Sequence, residues 1–201
     1  MEEQRIGNRI LLCGTLAGRP FLSHMSRSSK FFAFPLRVLR LSGIEDKINV
    51  ICDEKLLETI VPEGQSMLRV TGELRSHNNK SGVGNKLTIF VYATELAFCD
   101  DEPQNEIIIS GTLCKAPNLR QTPLGREICD LLVAVNRSYG HSDYLPCISW
   151  GPHAREAAEW AVGDKIELEG RVQSRDYIKN VNGEQQSKTA FEVSANAIRR
   201  L

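Results

Sequence analysis

The sequence lacks several features that would assign this protein to a class at once. Its 201 residues hold no apolar run near the ~20 residues that a membrane helix needs. The N-terminus, MEEQRIGNRI, lacks the basic and apolar regions of a signal peptide. Lys and Arg number 25, as do Asp and Glu, so the net charge is zero and the chain is not basic as a whole. These absences predict a cytoplasmic protein with no membrane partner, in which any contact with nucleic acid depends on local charge.

The cysteine and histidine residues form no catalytic or metal-binding pattern. The six cysteines are scattered, without a C-x-x-C pair, and most lie in apolar runs, which indicates reduced core thiols. The four histidines lack metal-ligand spacing, and no G-x-S-x-G or P-loop motif occurs. His153 and Glu156 lie one turn apart in a predicted helix, a spacing typical of a solvated face. We therefore expect neither an enzyme nor a bound cofactor or metal.

The two halves of the chain repeat one pattern. NRILLCGTLAGRP at 8–20 and NEIIISGTLCKAP at 105–117 share Asn, Gly-Thr-Leu and Pro at an offset of 97 positions, which is 105 − 8. At that offset Arg40 meets Arg137 and Asp46 meets Asp143. LRVTG at 68–72 then matches IELEG at 166–170, and VYATEL at 91–96 matches VSANAI at 193–198. An ordered series of this kind predicts a duplication, with domains at 1–101 and 102–201 joined around the acidic stretch CDDEPQN at 99–105.

Each half is predicted to be all-β with one short helix. Stretches such as EIIISGTL, REICDLLVAVNR and DKIELEGRVQS are rich in β-branched and aliphatic residues, and Asn182-Gly183 is a hairpin-turn signal. Pro152–Trp160 has the alanines and the early proline of a helix, and Glu54–Ile60 takes the same place in the first half. Three strands, a helix and two strands are the order of an OB-fold, a five-stranded Greek-key barrel. Gly72 and Gly170 suit the sharp bends of its strands. We predict two tandem OB-folds.

Within this frame the second half resembles the bacterial single-stranded DNA-binding proteins. The similarity is carried by NEIIISGTL from 105, PNLRQTPLG from 117, LVAVNR from 132, ISWG from 148 and VGDKIELEGRVQSR from 162, in that order across nearly all of 105–200. The resemblance implies sequence-independent binding of single-stranded DNA in replication, recombination or repair, at a nucleoid-associated location. In that family bases stack on exposed aromatic side chains, each stacked base contributing about 1–3 kcal/mol.

The resemblance places an interface in the second domain. Only 6% of the chain is aromatic, yet three of its rings fall between 139 and 150. The family's stacking positions correspond to Tyr139, Tyr144, Trp150 and Tyr177; taken alone, Trp150 at the end of an apolar strand fits a core residue equally well. Cations for the phosphates are expected from Arg120, Arg137, Arg171, Arg175 and Lys179.

The first domain departs from that pattern. At an offset of 97, Ser42, Lys47 and Asp53 stand where the second domain has Tyr139, Tyr144 and Trp150. We expect this domain to be degenerate, with a structural or pairing role, and Phe31, Phe32 and Phe34 to pack in its core. Arg69 and Arg75 remain candidate phosphate contacts.

Partners and alternative functions follow from the same comparison. Family members assemble four OB-folds, so a homodimer of two-domain chains is expected. The family's acidic C-terminal tail has no counterpart before Leu201, so recruitment of replication proteins through such a tail is not expected. Two other functions stay open: an accessory or protein-assembly module of a primosome or mobile element, since OB-folds also bind proteins, and an RNA-binding protein, since RNA bases stack on the same rings.

Overall fold

The structure, a computed structural model, describes residues 7–60, 67–79, 86–137, 140–181 and 184–201. In the first half, the elements are β1 (Asn8–Leu16), β2 (Phe21–Ser26), β3 (Ser29–Leu39), β4 (Glu45–Asp53), α1 (Glu54–Glu58), β5 (Met67–Asn78) and β6 (Leu87–Cys99). In the second half, they are β7 (Gln104–Leu113), β8 (Asn118–Gln121), β9 (Glu127–Asn136), β10 (Ser142–Trp150), α2 (Pro152–Ala158), β11 (Lys165–Val181) and β12 (Glu184–Arg200). None of the helices in these ranges is long and apolar enough to cross a membrane.

The chain divides into two compact units that interleave along the sequence. One unit holds residues 8–75 and 89–107, and the other holds 108–201 with the described parts of 1–7 and 76–88. We call them the first and the second barrel. The domain boundary expected between residues 101 and 102 stays a prediction, since the end of β5 and the start of β6 group with the second barrel.

The first barrel is closed by five strands. β1 pairs with β3, β3 with β4, β4 with β6, β6 with β5, and β5 returns to β1. Only β4 and β6 run parallel, with Val50 opposite Val91. Fully buried side chains fill the interior, among them Leu12, Phe34, Val50, Val70 and Val91.

The second barrel repeats this order with β7, β9, β10, β12 and β11. Here β10 and β12 are the parallel pair, with Cys147 opposite Val193. Helix α1 lies between β4 and β5 in the sequence, and α2 lies between β10 and β11. Both helices begin at residues typical of a helix N-terminus. Asp53 accepts a hydrogen bond of 2.8 Å from the Leu56 N–H at the start of α1, and Pro152 occupies the first turn of α2. The predicted pair of OB-folds is therefore confirmed.

Each barrel also has a sixth strand that the sequence did not predict. β2 pairs with the edge of β3, and β8 pairs with the edge of β9. Every residue of β2 and β8 is exposed, so neither strand shows the alternation of apolar and polar residues that identifies a half-buried strand.

Glycine allows two strands to pass close to their neighbours. A Cβ atom on Gly72 would lie 2.1 Å from the carbonyl oxygen of Tyr92, and one on Gly170 would lie 2.2 Å from that of Ser194. The register of β11 and β12 shifts between Glu169 and Gly170, the kind of local bend predicted here. The predicted turn at 182–183 lies outside the described residues.

The three phenylalanines of β3 are not all core residues, which corrects the sequence expectation. Phe34 is fully buried, and Phe32 faces the interior beside Cys52 and is half-buried. Phe31 lies on the opposite, outer face of the strand and is also only half-buried. Alternation along a strand places neighbouring residues on opposite faces, so a run of three aromatics within four positions cannot all point inward.

Candidate nucleic-acid interface

Strand β10 separates its side chains cleanly between the two faces of the second barrel. Asp143, Leu145, Cys147 and Ser149 are buried in the interior. Tyr144 and Trp150 lie on the opposite face with Pro146 and Ile148, because even positions alternate with odd ones. Trp150 is thus not an inward core residue, although the sequence allowed that interpretation.

The indole of Trp150 is held in place on this outer face. It is half-buried, and its Nε1–H donates a hydrogen bond of 3.0 Å to the Ser194 Oγ on β12. Ile148 on β10 is opposite Ser194, so the ring lies across the parallel strand pair. A ring anchored through its edge keeps one orientation, which favours face-to-face stacking with a planar ligand.

Tyr144 lies further along the same face and is 43% exposed. Its backbone N–H donates a hydrogen bond of 2.8 Å to the Ser76 Oγ, at the end of β5 within the same unit. The Ser76 N–H in turn donates to Asp143 at 2.7 Å. These bonds fix the backbone of Tyr144, while its ring remains accessible.

The long hairpin of β11 and β12 extends this outer face. Residues directly opposite each other in an antiparallel pair project from the same face. The register pairs Arg171 with Ser194, Arg175 with Ala190 and Tyr177 with Lys188, so all of them lie on the face of Ser194. Arg171 and Arg175 are exposed, and Tyr177 is half-buried. The guanidinium carbon of Arg175 lies 6.0 Å from the centre of the Tyr177 ring. Three aromatic rings and two arginines thus occupy one face of three adjacent strands.

Two carboxylates that the sequence analysis did not single out lie on this face. Asp130 accepts two hydrogen bonds from Arg120, at 2.5 and 2.9 Å. Burial alone would raise the pKa of Asp130, but the hydrogen bonds from Arg120 and Asn118 outweigh it and hold that pKa below its usual value. Glu192 accepts from Gln173 at 3.1 Å and lies 3.7 Å from Arg175. A phosphate at Arg120 or Arg175 would compete with a carboxylate; within the described residues, Arg171 has no such ion pair.

Arg137 differs from the other predicted cations. Its Nε lies 2.9 Å from Oδ2 of the fully buried Asp143. Its head group therefore neutralises an interior carboxylate, which is a structural task within the barrel. Its contact with nucleic acid stays a prediction.

Two predicted residues cannot be placed. Tyr139 lies outside the described residues, and Lys179 lies in β11 without a described side chain.

The remaining candidate residues are histidines and cysteines. On α2, His153 is half-buried and Glu156 is exposed, with His153 Nδ1 3.9 Å from Glu156 Oε2, as expected of a solvated face. All six cysteines are free thiols, and four of them are buried. Cys13 and Cys99 bring their sulfur atoms within 2.8 Å of each other in the first barrel, and Asp101, which pairs with Arg69, lies beside them. The pKa of the Cys13 thiol is raised to about 12, mainly by burial and then by the hydrogen bond with Cys99.

Comparison with known proteins agrees with this fold. The wild-type single-stranded DNA binding protein from Thermus aquaticus superposes with a TM-score of 0.77 at 22% identity, covering 96% of this chain and 92% of that one. At that identity the likeness shows the fold alone. The molecule is therefore an OB-fold protein with two barrels.

The sequence relatives point to a family. Single-stranded DNA-binding protein A of Bacillus subtilis is 31% identical over 104 residues, 48% of this chain and 59% of the relative. Single-stranded DNA-binding protein 2 of Listeria innocua is 32% identical over 80 residues, 36% of this chain and 50% of the relative. The chain spans about half the length of these relatives. Residues 104–201 match the model of the Single-strand binding protein family.

Proposed function

We propose that the second barrel binds single-stranded DNA without sequence specificity across its outer face. One observation carries the proposal: Tyr144, Trp150 and Tyr177 share a face of adjacent strands with Arg171 and Arg175. Base–aromatic stacking is sequence-tolerant because every base has a π-face. The match of residues 104–201 to the model of the Single-strand binding protein family supports the same ligand.

The charge of this face sets the expected strength of binding. This face carries four cations and two carboxylates. The cations are Arg120, Arg171, Arg175 and Lys188, and the carboxylates are Asp130 and Glu192. The Arg120–Asp130 pair is exposed, and exposed ion pairs contribute little free energy, so a phosphate displaces Asp130 at small cost. Glu192 is buried and hydrogen-bonded to Gln173, so it stays in place beside Arg175. Binding then combines stacking with a modest electrostatic component, and it weakens as salt rises. The surface performs no chemistry in this proposal and uses no cofactor.

The decisive experiment is a titration of labelled oligo(dT) with the wild-type protein and Trp150→Ala, followed by fluorescence anisotropy at low and high salt. Loss of one stacked ring is expected to weaken binding roughly tenfold or more. Phe98→Ala is the matched control, because Phe98 is an exposed ring at the end of β6 in the first barrel, 43% exposed. Absence of wild-type binding at low salt overturns the proposal. An oligo(rU) titration separates DNA from RNA preference.

We further propose that two chains pair into a homodimer with four OB-folds. Among the residues that the structure describes, strand β2 pairs with β3 alone and forms an edge of the first barrel. It exposes Phe21, Leu22 and Met25, at 59%, 51% and 63%. Unpaired apolar edge strands favour pairing with another chain. Light scattering at micromolar concentration should give twice the 22.5 kDa of one chain, and Leu22→Lys should lower that mass. Leu124→Lys, at a leucine of the second barrel that is 85% exposed, is the control and should not. A monomeric wild type contradicts the pairing.

A further inference from the structure

The first barrel has an aromatic cluster of its own, which the alignment of its sequence with the second half did not reveal. The rings of His24 and Phe31 stack with their centroids 4.8 Å apart and their planes at 6°. The Phe31 and Tyr92 rings lie 6.3 Å apart at 39°. The guanidinium carbon of Arg75 lies 3.8 Å from the centre of the Tyr92 ring. All four residues belong to the first barrel.

The register places this cluster on the outer face. Ile51 is opposite both Ala33 and Tyr92, whereas the core residues Val50 and Val91 are opposite each other. Tyr92 therefore projects away from the interior, and Phe31, two residues before Ala33, projects with it. Both rings are half-buried, and His24 is exposed on β2. The cluster is a surface feature and not part of the core.

Tyr92 occupies the place that Ser194 has in the second barrel. Ile51 is opposite Tyr92 across one parallel strand pair, and Ile148 is opposite Ser194 across the other. In the second barrel the ring over this place comes from Trp150, which donates to Ser194. In the first barrel Tyr92 on β6 supplies a ring at this place. Asp53 on β4, which corresponds to Trp150 in the second barrel, has no ring, and Tyr92 on the neighbouring strand provides one instead.

The chemistry of the cluster selects its ligand. Arg75 is bound to Glu73 at 2.9 Å, and its planar guanidinium lies over Tyr92. A guanidinium plane stacks on nucleobases as aromatic rings do, and it also carries a charge for phosphate. Flat π-faces beside a guanidinium match single-stranded nucleic acid better than an aliphatic protein partner.

We propose that Phe31, Tyr92 and Arg75 form a second stacking surface for the bases of single-stranded DNA, on the first barrel. The choice of ligand rests on the function proposed for the second barrel. This surface adds a ligand-binding role to the structural or pairing role that the sequence predicted for the first domain. It uses none of the positions at which the second barrel carries Tyr144, Trp150 and Tyr177.

Anisotropy titrations with an oligo(dT) of about 40 nucleotides, longer than the site of one OB-fold, test the proposal. Four proteins are compared: wild type, Phe31→Leu/Tyr92→Leu, Trp150→Ala and the control Phe98→Ala. Leucine keeps apolar volume on a half-buried face while it removes the π-face. The double variant should bind roughly tenfold or more weakly than wild type, and the control should bind as wild type does. Arg75→Gln, which leaves both rings, should lower the salt slope by about 0.7.

The outcomes separate the two proposals. Unchanged affinity in the double variant, together with weakened binding by Trp150→Ala, overturns the second surface and leaves the function of the second barrel intact. Absence of any wild-type binding overturns both. Light scattering that shows a lower mass for the double variant assigns the face to a second copy of the chain and overturns the nucleobase proposal. Photo-crosslinking of an oligonucleotide that contains 5-iodouracil should label the peptide with Phe31 or Tyr92; labelling confined to the second barrel contradicts the proposal without relying on any variant.

Discussion

Arg40 binds the fully buried carboxylate of Asp46 through two hydrogen bonds of 2.6 Å. The pair recurs 97 positions later, since 137 − 40 and 143 − 46 are equal, as Arg137 and Asp143. The two barrels carry different side chains on their outer faces, yet both keep the buried ion pair. The pair therefore belongs to the architecture of the barrel. It joins the end of β3 to the start of β4 in the first barrel, and the end of β9 to the start of β10 in the second.

Removal of the arginine should destabilise the first barrel strongly. Arg40→Gln leaves the buried Asp46 without its cation, a loss that typically costs about 3 kcal/mol or more. The matched control is Arg37→Gln, because Arg37 pairs with Glu45 in an exposed ion pair at 3.5 Å and should cost no more than about 0.5 kcal/mol. Urea unfolding followed by circular dichroism measures both. Equal stabilities of the two variants would show that the buried pair contributes little.

The cations of the second barrel should separate by role. Arg171→Gln removes an exposed charge, so the free energy of unfolding should stay within about 0.5 kcal/mol of wild type. The slope of log affinity for oligo(dT) against log salt should become shallower by about 0.7, the value for one lost phosphate contact on a single strand. Arg155→Gln on α2, an exposed arginine paired with Glu127, is the control and should leave the slope unchanged. A slope unaltered by Arg171→Gln would remove this residue from the interface.

Much of the fold follows from the sequence, because its signals are local and repeated. A five-stranded barrel is indicated by the strand patterns, the alanine-rich helix at Pro152 and the order of elements. The repeat in the sequence indicates the same barrel in both halves of the chain. The sixth strands were missed because all residues of β2 and β8 are exposed. An edge strand without a buried face has no alternation to detect.

The candidate interface could be predicted in part. Its aromatic residues were found through the family resemblance, and the register places Tyr144, Trp150 and Tyr177 on one face. The partners of Arg120 and Arg175 were not found, since Asp130 and Glu192 approach them only across strands. Phe31 was assigned to the wrong face because FFAF does not itself show which alternate residues point inward. The contact of the Phe31 ring with Tyr92, more than sixty residues away in the sequence, shows that Phe31 lies on the outer face.

Close strand passage makes Gly170 a sensitive position. Its Cβ would lie 2.2 Å from the carbonyl oxygen of Ser194, so Gly170→Ala requires the backbone to shift at the anchor of Trp150. We expect a loss of about 1–3 kcal/mol in unfolding free energy and weaker binding of oligo(dT). Gly7→Ala is the control, because its Cβ would meet only the Ser110 oxygen, at 3.9 Å. Unchanged melting of Gly170→Ala would show that the strands separate easily here.

The buried thiol of Cys52 should make stability fall in alkaline solution. Burial, followed by the nearby charge of Asp53, raises the pKa of this thiol from 9.0 to about 11. The unfolded chain therefore loses the proton first, and the stability that the group provides is complete below pH 9 and is lost as pH rises toward 11. Cys52→Ala removes the titration but leaves a pH-independent packing defect. Urea unfolding of both proteins at several pH values should show their difference in stability shrinking by about 2 kcal/mol over this range. A difference that stays constant with pH would mean that the thiol ionises as readily in the folded barrel as in the unfolded chain.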